Sequence, residues 1–318
     1  MDFASRKPFL RRLAIGLAVV GALTACGTAA LQHEESRLTF RVDRDAPGWY
    51  TGMPDGVQEF DLPVANAEAV QHIHAWWWPA ASGSADAPAI LYLHGARWSL
   101  TGQLFRIAEL RDFGFSVLAI DYRGFGKSDG EMPSEKTVYE DAHAAWRWLV
   151  ARQPDPAQRF IYGYSLGGAV AIDLAASLEG ADGTPNEAPA AAGLIVESSF
   201  TTLEDMAKAL TYRWLPVGLV LSQKFDSIGK MAKVRVPVLI VHGEADRIVP
   251  ARFSQALYRA APGPKKLLLI DGGTHNNSMR TGAAQYRQAL SELFGLGGAT
   301  PVRAKSPRRR PGTVVRGG

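Results

Sequence analysis

The sequence predicts an α/β protein with a mostly parallel sheet of eight strands, helices on both faces and a short helical cap insertion. From residue 57 to residue 296, short apolar runs alternate with segments whose apolar residues recur at helical spacing. The chain has 318 residues and a hydrophobic content of 47%, which is enough for one large core. Strands that alternate with helices of this length form parallel sheets covered on both faces.

The predicted elements follow one another in a regular order. The first two strands, residues 57–64 and 70–80, are predicted to pair antiparallel. Six short apolar runs then predict buried strands at residues 87–95, 115–126, 159–165, 192–199, 237–246 and 265–273. Helical periodicity predicts helices at residues 101–114, 134–152 (with Ser134 as N-cap), 166–178, 251–261 and 278–296.

Two segments interrupt this alternation. Residues 179–193 are rich in Gly, Pro and Ala and predict a surface loop. Residues 200–234 are predicted to be mostly helical and lie between two strands. An insertion at that point would lie above the carboxyl ends of the strands, where open α/β sheets bind their ligands.

The basic character of the chain belongs to its two ends. The whole chain carries +4, residues 1–12 carry +3 and residues 301–318 carry +6, which leaves −5 for residues 13–300. A nucleic-acid-binding face on the folded body is therefore not expected. Residues 298–318 are rich in Pro, Gly and Arg and are predicted to be a disordered basic tail.

The N-terminus has the layout of a bacterial secretory signal. A basic start is followed by an apolar run, residues 13–22, that is short for a membrane span. The sequence LTAC, which ends at Cys26, resembles the lipoprotein signal in which the cysteine is acylated. We therefore predict a signal peptide at 1–25, a tether at 26–37 and a folded α/β body at 38–297, with the protein exported and lipid-anchored to the cell envelope. An ordinary signal peptide or an uncleaved anchor is the alternative.

Glycines surround Ser165 at the junction of a predicted strand and a predicted helix. The sequence GYSLG, residues 163–167, fits a nucleophile elbow, a sharp turn that exposes a serine hydroxyl. The helix that follows would offer backbone N–H groups to a developing oxyanion. Because a chain with 32 glycines can contain this pattern by chance, the motif needs support from its context.

That support comes from two residues that follow strands later in the chain. Asp246 lies at the end of the run predicted at 237–246, and His275 follows the last predicted strand. Serine, acid and histidine then occur in the order of a nucleophile-elbow triad. We predict that Ser165 attacks an acyl carbon, His275 transfers the proton and Asp246 orients the imidazole. Glu197, at the end of another strand, is the alternative acid.

The motifs YLHG, DYRGFGKSDG, GYSLGG, HGEADRIVP and GGTHNN resemble the α/β-hydrolase superfamily. The closer resemblance, over residues 57–295, is to serine hydrolases of the BEM46-like or S33 serine-aminopeptidase type. It implies an α/β-hydrolase fold, no cofactor, and oxyanion donors at the backbone N–H groups of Leu166 and Ala96. It leaves the substrate open.

The loop after His94 departs from the relatives' usual pattern, since Arg97 and Trp98 are bulky. Together with Tyr164 they are predicted to contact substrate, with Arg97 facing an anionic group. Alternatively, Arg97 points to solvent and Trp98 packs under the insertion. His94 itself is expected to organise this loop.

No metal site and no nucleotide site are expected. His72 and His74 share one strand face but have no evident third ligand.

The serine, the acid and the histidine, together with the resemblance, predict cleavage of a carboxylic ester or thioester of a small acyl substrate. A peptidase or amidase, which would need an acidic anchor such as Glu204 with Asp205, and a catalytically silent envelope-binding lipoprotein are the alternatives.

Overall fold

Residues 27–65, 70–178, 191–210, 218 and 221–296 are described by a computed structural model of the chain. The predicted signal peptide, Cys26, most of the loop 179–193 and the tail 298–318 lie outside these residues. The first described element is a helix, α1, at residues 27–40. The segment predicted as a tether is therefore helical where it is described. Phe40, the last residue of α1, is fully buried in the body.

Eight strands form one sheet, as predicted. The strands are β1 (Gln58–Ala65), β2 (Val70–Trp78), β3 (Ala89–Leu93), β4 (Ser116–Ile120), β5 (Arg159–Tyr164), β6 (Gly193–Glu197), β7 (Val238–Gly243) and β8 (Lys265–Ile270). Their order across the sheet is β1-β2-β4-β3-β5-β6-β7-β8. The pairs β1–β2 and β2–β4 are antiparallel, and every other pair is parallel. The chain has the α/β-hydrolase architecture that the sequence predicts.

Helices cover both faces of the sheet. They are α2 (Leu100–Asp112), α3 (Glu135–Arg152), α4 (Leu166–Ser177), α5 (Leu203–Leu210), α6 (Ser227–Met231), α7 (Arg252–Ala260), α8 (Ser278–Thr281) and α9 (Ala283–Phe294). Ser134 caps α3, as predicted, by accepting the backbone N–H of Thr137. The helix predicted over 278–296 is instead two helices that meet at Gly282, where a Cβ would collide with Ile270.

The core has two parts, one on each face of the sheet. The side chains of β2 alternate between them: Trp77 belongs to one cluster, and Trp76 and Trp78 belong to the other. All three tryptophans are buried, so this part of β2 packs into the core on both faces of the sheet. The rigid sheet fixes the carboxyl ends of its parallel strands, where the predicted site residues lie.

Candidate active site

Ser165 stands on a strained turn between β5 and α4. Its backbone has φ 54° and ψ −119°, in a region that non-glycine residues seldom occupy. The turn is held because Ser165 N–H donates to the carbonyl of Glu197 over 2.8 Å. This is the local geometry expected of a nucleophile elbow.

The glycines around Ser165 are required by close backbone approach. A Cβ on Gly163 would collide with the carbonyl oxygen of Gly167, and one on Gly167 would collide with the carbonyl oxygens of Leu93 and His94. Space for a side chain is therefore absent on both sides of the serine. The close approach of the backbone therefore explains the glycines at the junction of β5 and α4.

We expect Gly167→Ala to destabilise the fold by about 1–3 kcal/mol, the usual cost of an added group in a packed region. The colliding atoms are backbone carbonyls, which cannot swing aside. Urea unfolding checks this against Gly48→Ala, where a Cβ meets no atom within 4 Å. Equal stability of the two variants would contradict the packing argument.

The loop after β3 approaches the serine from the other side. A Cβ on Gly95 would lie 3.1 Å from Cβ of Ser165, which places the Gly95–Ala96 backbone beside this serine. His94 is fully buried, and its Nδ1 lies 2.6 Å from the carbonyl oxygen of Gly95. Burial lowers the pKa of His94, which favours a neutral ring with a structural role in this loop.

Asp246 and His275 come together as predicted. Oδ2 of Asp246 lies 2.7 Å from Nδ1 of His275. Oδ1 of the same carboxylate accepts the backbone N–H groups of Ile248 and Val249 over 2.8 and 2.9 Å. A second histidine, His242, brings Nε2 to 3.3 Å from Oδ2. The carboxylate is thus fixed on both oxygens, with one of them turned to the imidazole.

These contacts determine the charge of Asp246. Burial alone would raise its pKa, but the hydrogen bonds to His242 and His275 outweigh burial and hold the pKa well below its ordinary value. Asp246 is therefore ionised at neutral pH. An anionic partner at Nδ1 keeps the proton of His275 on that nitrogen and leaves Nε2 free to accept another.

The lowered pKa also gives the stability of the fold a pH dependence with a definite sign. Because the folded pKa of Asp246 lies below that of an unfolded aspartate, its contribution is complete above about pH 4 and is lost at lower pH. We expect the unfolding free energy of the wild type, relative to Asp246→Asn, to fall as the pH is lowered from 7 to 3. Urea titrations of both proteins measure it, and a relative stability that rises on acidification would contradict it.

Glu197, the alternative acid, has different partners. It is fully buried and accepts hydrogen bonds from the side chains of Tyr162, Tyr286, Ser278 and Arg106. Another N–H of Arg106 donates to the backbone carbonyl of His275 over 3.2 Å. Asp246 is therefore the acid that meets the imidazole, and Glu197 with Arg106 supports the loop that carries it.

The sequence did not indicate this Glu197–Arg106 pair. Arg106 lies on α2 among residues with helical periodicity, and a charged residue there would be expected in solvent. Its side chain is only 2% exposed, and its guanidinium carbon lies 3.5 Å from the centroid of the Tyr164 ring. The hydroxyl of Tyr164, a residue predicted to contact substrate, lies 3.1 Å from the carbonyl oxygen of His275 and 2.9 Å from Oδ1 of Asn276 and can donate to either. Its main contact is thus with the histidine loop, beneath the site.

Ser165 and His275 line one cavity of about 670 Å³. The cavity is bordered by the predicted residues Ala96, Arg97, Trp98 and Tyr164, and by a segment that the sequence did not single out, residues 49–51. Trp98 makes an edge-to-face contact with Trp49, with ring centroids 5.3 Å apart. Its aromatic partner therefore belongs to the N-terminal segment. Arg97 lines the cavity, as expected of a residue that contacts substrate, but it is also exposed, as expected of a residue that points to solvent.

His72 and His74, the two histidines considered as metal ligands, contact carboxylates instead. The ring nitrogens of His74 lie 2.8 Å from Asp121 and 2.6 Å from Glu59, and His72 lies 3.4 Å from Asp129. Asp121 also accepts the backbone N–H of Leu100 at the start of α2. Across the described residues, no group of three or more potential ligands is arranged to hold a metal ion.

No helix in the described part of the chain is both long and apolar enough to cross a membrane.

Solved structures from other organisms have similar folds. The Pyrococcus furiosus esterase Pf2001 has a TM-score of 0.59 and 20% identity, covering 80% of this chain and 99% of the esterase. An alpha-beta hydrolase from Vibrio vulnificus has a TM-score of 0.62 and 22% identity, covering 85% of this chain and 94% of the hydrolase. At these identities the likeness establishes the fold alone.

Sequence relatives are more similar. Uncharacterized protein Rv2307c of Mycobacterium tuberculosis is 33% identical over 267 residues, 83% of this chain and 89% of that protein. Lysophosphatidylserine lipase ABHD12 of Danio rerio is 34% identical over 206 residues, 60% of this chain and 51% of the lipase, so the chain spans about half of it. The family model described as serine aminopeptidase, S33, matches residues 85–227 and 225–278. The chain therefore belongs to the S33 serine aminopeptidase family of α/β hydrolases.

Proposed function

We propose that this hydrolase cleaves carboxylic esters or thioesters through an acyl-enzyme formed on Ser165. The observation that supports it most directly is the 2.7 Å contact between Asp246 and His275, whose imidazole shares a cavity with Ser165 on its strained turn. A hydroxyl, an imidazole with an ionised partner and a cavity for substrate are the parts that acyl transfer requires.

The proposed reaction has two steps, acylation of Ser165 and hydrolysis of the acyl-enzyme. Ser165 Oγ attacks the acyl carbon while Nε2 of His275 takes the hydroxyl proton, and Asp246 stabilises the imidazolium. The N–H groups of Ala96 and Leu166 face the oxygen that becomes negative. His275 then gives its proton to the leaving alcohol or thiol. Water deprotonated by His275 attacks the acyl-enzyme, and the proton returns to Ser165 as the acid departs.

Ester cleavage is favoured over the action of an aminopeptidase by the residues around the cavity. Among the described residues that line it, none is an aspartate or a glutamate that could bind a substrate ammonium group. Glu204 pairs with Lys208 on α5, and Asp205 accepts the hydroxyl of Thr201. The acidic anchor that a peptidase would need therefore has other partners. A sequence relative named as a lipase supports the same choice.

A panel of short para-nitrophenyl esters and thioesters, beside a panel of aminoacyl para-nitroanilides, tests the proposal on the full chain. We expect hydrolysis of the esters, little hydrolysis of the anilides, and loss of ester hydrolysis in Ser165→Ala. Preferential hydrolysis of the anilides would support the peptidase alternative instead. A folded wild type that cleaves neither panel would favour the silent binding protein.

We also propose that the protein is exported and lipid-anchored to the bacterial cell envelope through Cys26. This rests on the sequence: a basic start, the apolar run at residues 13–22, and LTAC ending at the only cysteine of the chain. Incorporation of labelled palmitate in bacteria should occur in the wild type and not in Cys26→Ser. A wild type that stays unlabelled and retains residues 1–25 would overturn this proposal.

A further inference from the structure

Three exposed arginines border the cavity at Ser165. Arg41, Arg97 and Arg280 all line it, and all three are exposed. Within the described residues, no carboxylate forms an ion pair with any of them. The same border contains the exposed apolar side chains of Trp49 and Ile248. The mouth of the active site is thus both cationic and apolar.

The three arginines come from three separate parts of the chain. Arg41 follows α1, Arg97 belongs to the loop after β3, and Arg280 lies on α8, just after His275. Two of them rest on aromatic rings: the guanidinium carbon of Arg97 lies 4.8 Å from the Trp98 ring centroid, and that of Arg280 lies 5.2 Å from the Phe105 ring centroid. A guanidinium held on a ring face keeps its N–H edge available for an anion.

The backbone around Arg97 is held in place by the segment that follows α1. Its N–H donates to the carbonyl of Phe40 over 2.8 Å, and its carbonyl accepts the N–H of Asp43 over 2.7 Å. Arg97 itself has φ 88°, a conformation that an exposed glycine would adopt with less strain. An arginine at such a position contributes nothing to the core. The presence of an arginine at this position is therefore best explained by the cavity that it lines.

We infer that Arg41, Arg97 and Arg280 bind an anionic group, a carboxylate or a phosphate, carried by the ester substrate. The inference rests on the proposed function and adds a substrate class to it. Guanidinium groups match the paired oxygens of these anions, and none of the described residues that line the cavity is acidic, which leaves the positive potential uncompensated. The segment around Arg41 precedes the residues that match the family model, so this specificity would be partly built outside the shared domain.

Two pairs of substrates test the inference on the full chain. Butyrylglycerol phosphate against butyrylglycerol places the anion on the alcohol, and mono-para-nitrophenyl adipate against para-nitrophenyl hexanoate places it on the acyl chain. At low salt we expect kcat/KM for the anionic member of at least one pair to exceed that of the neutral member by about tenfold, the worth of one charge-assisted hydrogen bond. The preference should shrink in high salt.

Variants then assign the preference to these residues. In Arg41→Gln, Arg97→Gln and Arg280→Gln the ratio of anionic to neutral kcat/KM should fall, and in the triple variant it should approach one. Arg259→Gln, an exposed arginine away from the cavity, should keep the ratio. Equal rates within both pairs, with Ser165-dependent hydrolysis, would overturn the inference and leave the proposed function intact. Absence of any Ser165-dependent hydrolysis would overturn both.

Discussion

Asp246→Asn should lower kcat for ester hydrolysis by about 10⁴-fold, the size of effect seen when a triad aspartate becomes an amide. The asparagine can still accept the N–H groups of Ile248 and Val249, so the loop should keep its shape. Its amide N–H, however, would face Nδ1 of His275 and favour the tautomer that cannot take the proton of Ser165. Steady-state hydrolysis of a short ester measures the loss.

The matched control is Glu244→Gln, which removes an exposed carboxylate from the same loop and should retain activity. If Asp246→Asn keeps activity within tenfold of the wild type, Asp246 is not the acid that orients His275, and Glu197 becomes the residue to test.

Arg106→Met should destabilise the fold by roughly 3–5 kcal/mol, the usual cost of leaving one member of a buried ion pair alone. Glu197 and Arg106 are both buried, with Nη2 of the arginine 3.4 Å from the carboxylate. Loss of the guanidinium would also free the carbonyl of His275 from its bond to Arg106. Urea unfolding followed by fluorescence measures the change.

A double variant separates the ion pair from simple loss of packing. Arg106→Met combined with Glu197→Gln removes both charges and should be more stable than Arg106→Met alone. Arg259→Met, at an exposed position, should unfold like the wild type. Unfolding of Arg106→Met at the wild-type urea concentration would show that the pair adds nothing to stability.

The positions of the strands and of the three proposed triad residues could be predicted because each depends on local pattern. A buried parallel strand is a continuous apolar run, and the residues directly after it must lie at the carboxyl edge of the sheet. Ser165, Asp246 and His275 all follow such runs. Their meeting at one edge follows from the topology alone.

The buried charges and the N-terminal wall of the cavity could not be predicted, because both depend on long-range contacts. Arg106 and Glu197 are 91 residues apart, and neither shows in sequence that it has a partner. His242 likewise reads as one residue of an apolar strand, although it contacts Asp246. Residues 40–51 lack a motif, and only the fold shows that they border the cavity and hold Arg97.

The central claim is that Ser165 is an activated nucleophile, and a fluorophosphonate probe with mass-spectrometric mapping tests it most directly. The probe requires the same attack by a serine oxygen as an ester does. We predict one modified residue in the wild type, Ser165, with no labelling in Ser165→Ala and much slower labelling in Asp246→Asn. A folded wild type that stays unmodified, or that is modified at another serine, would contradict the claim.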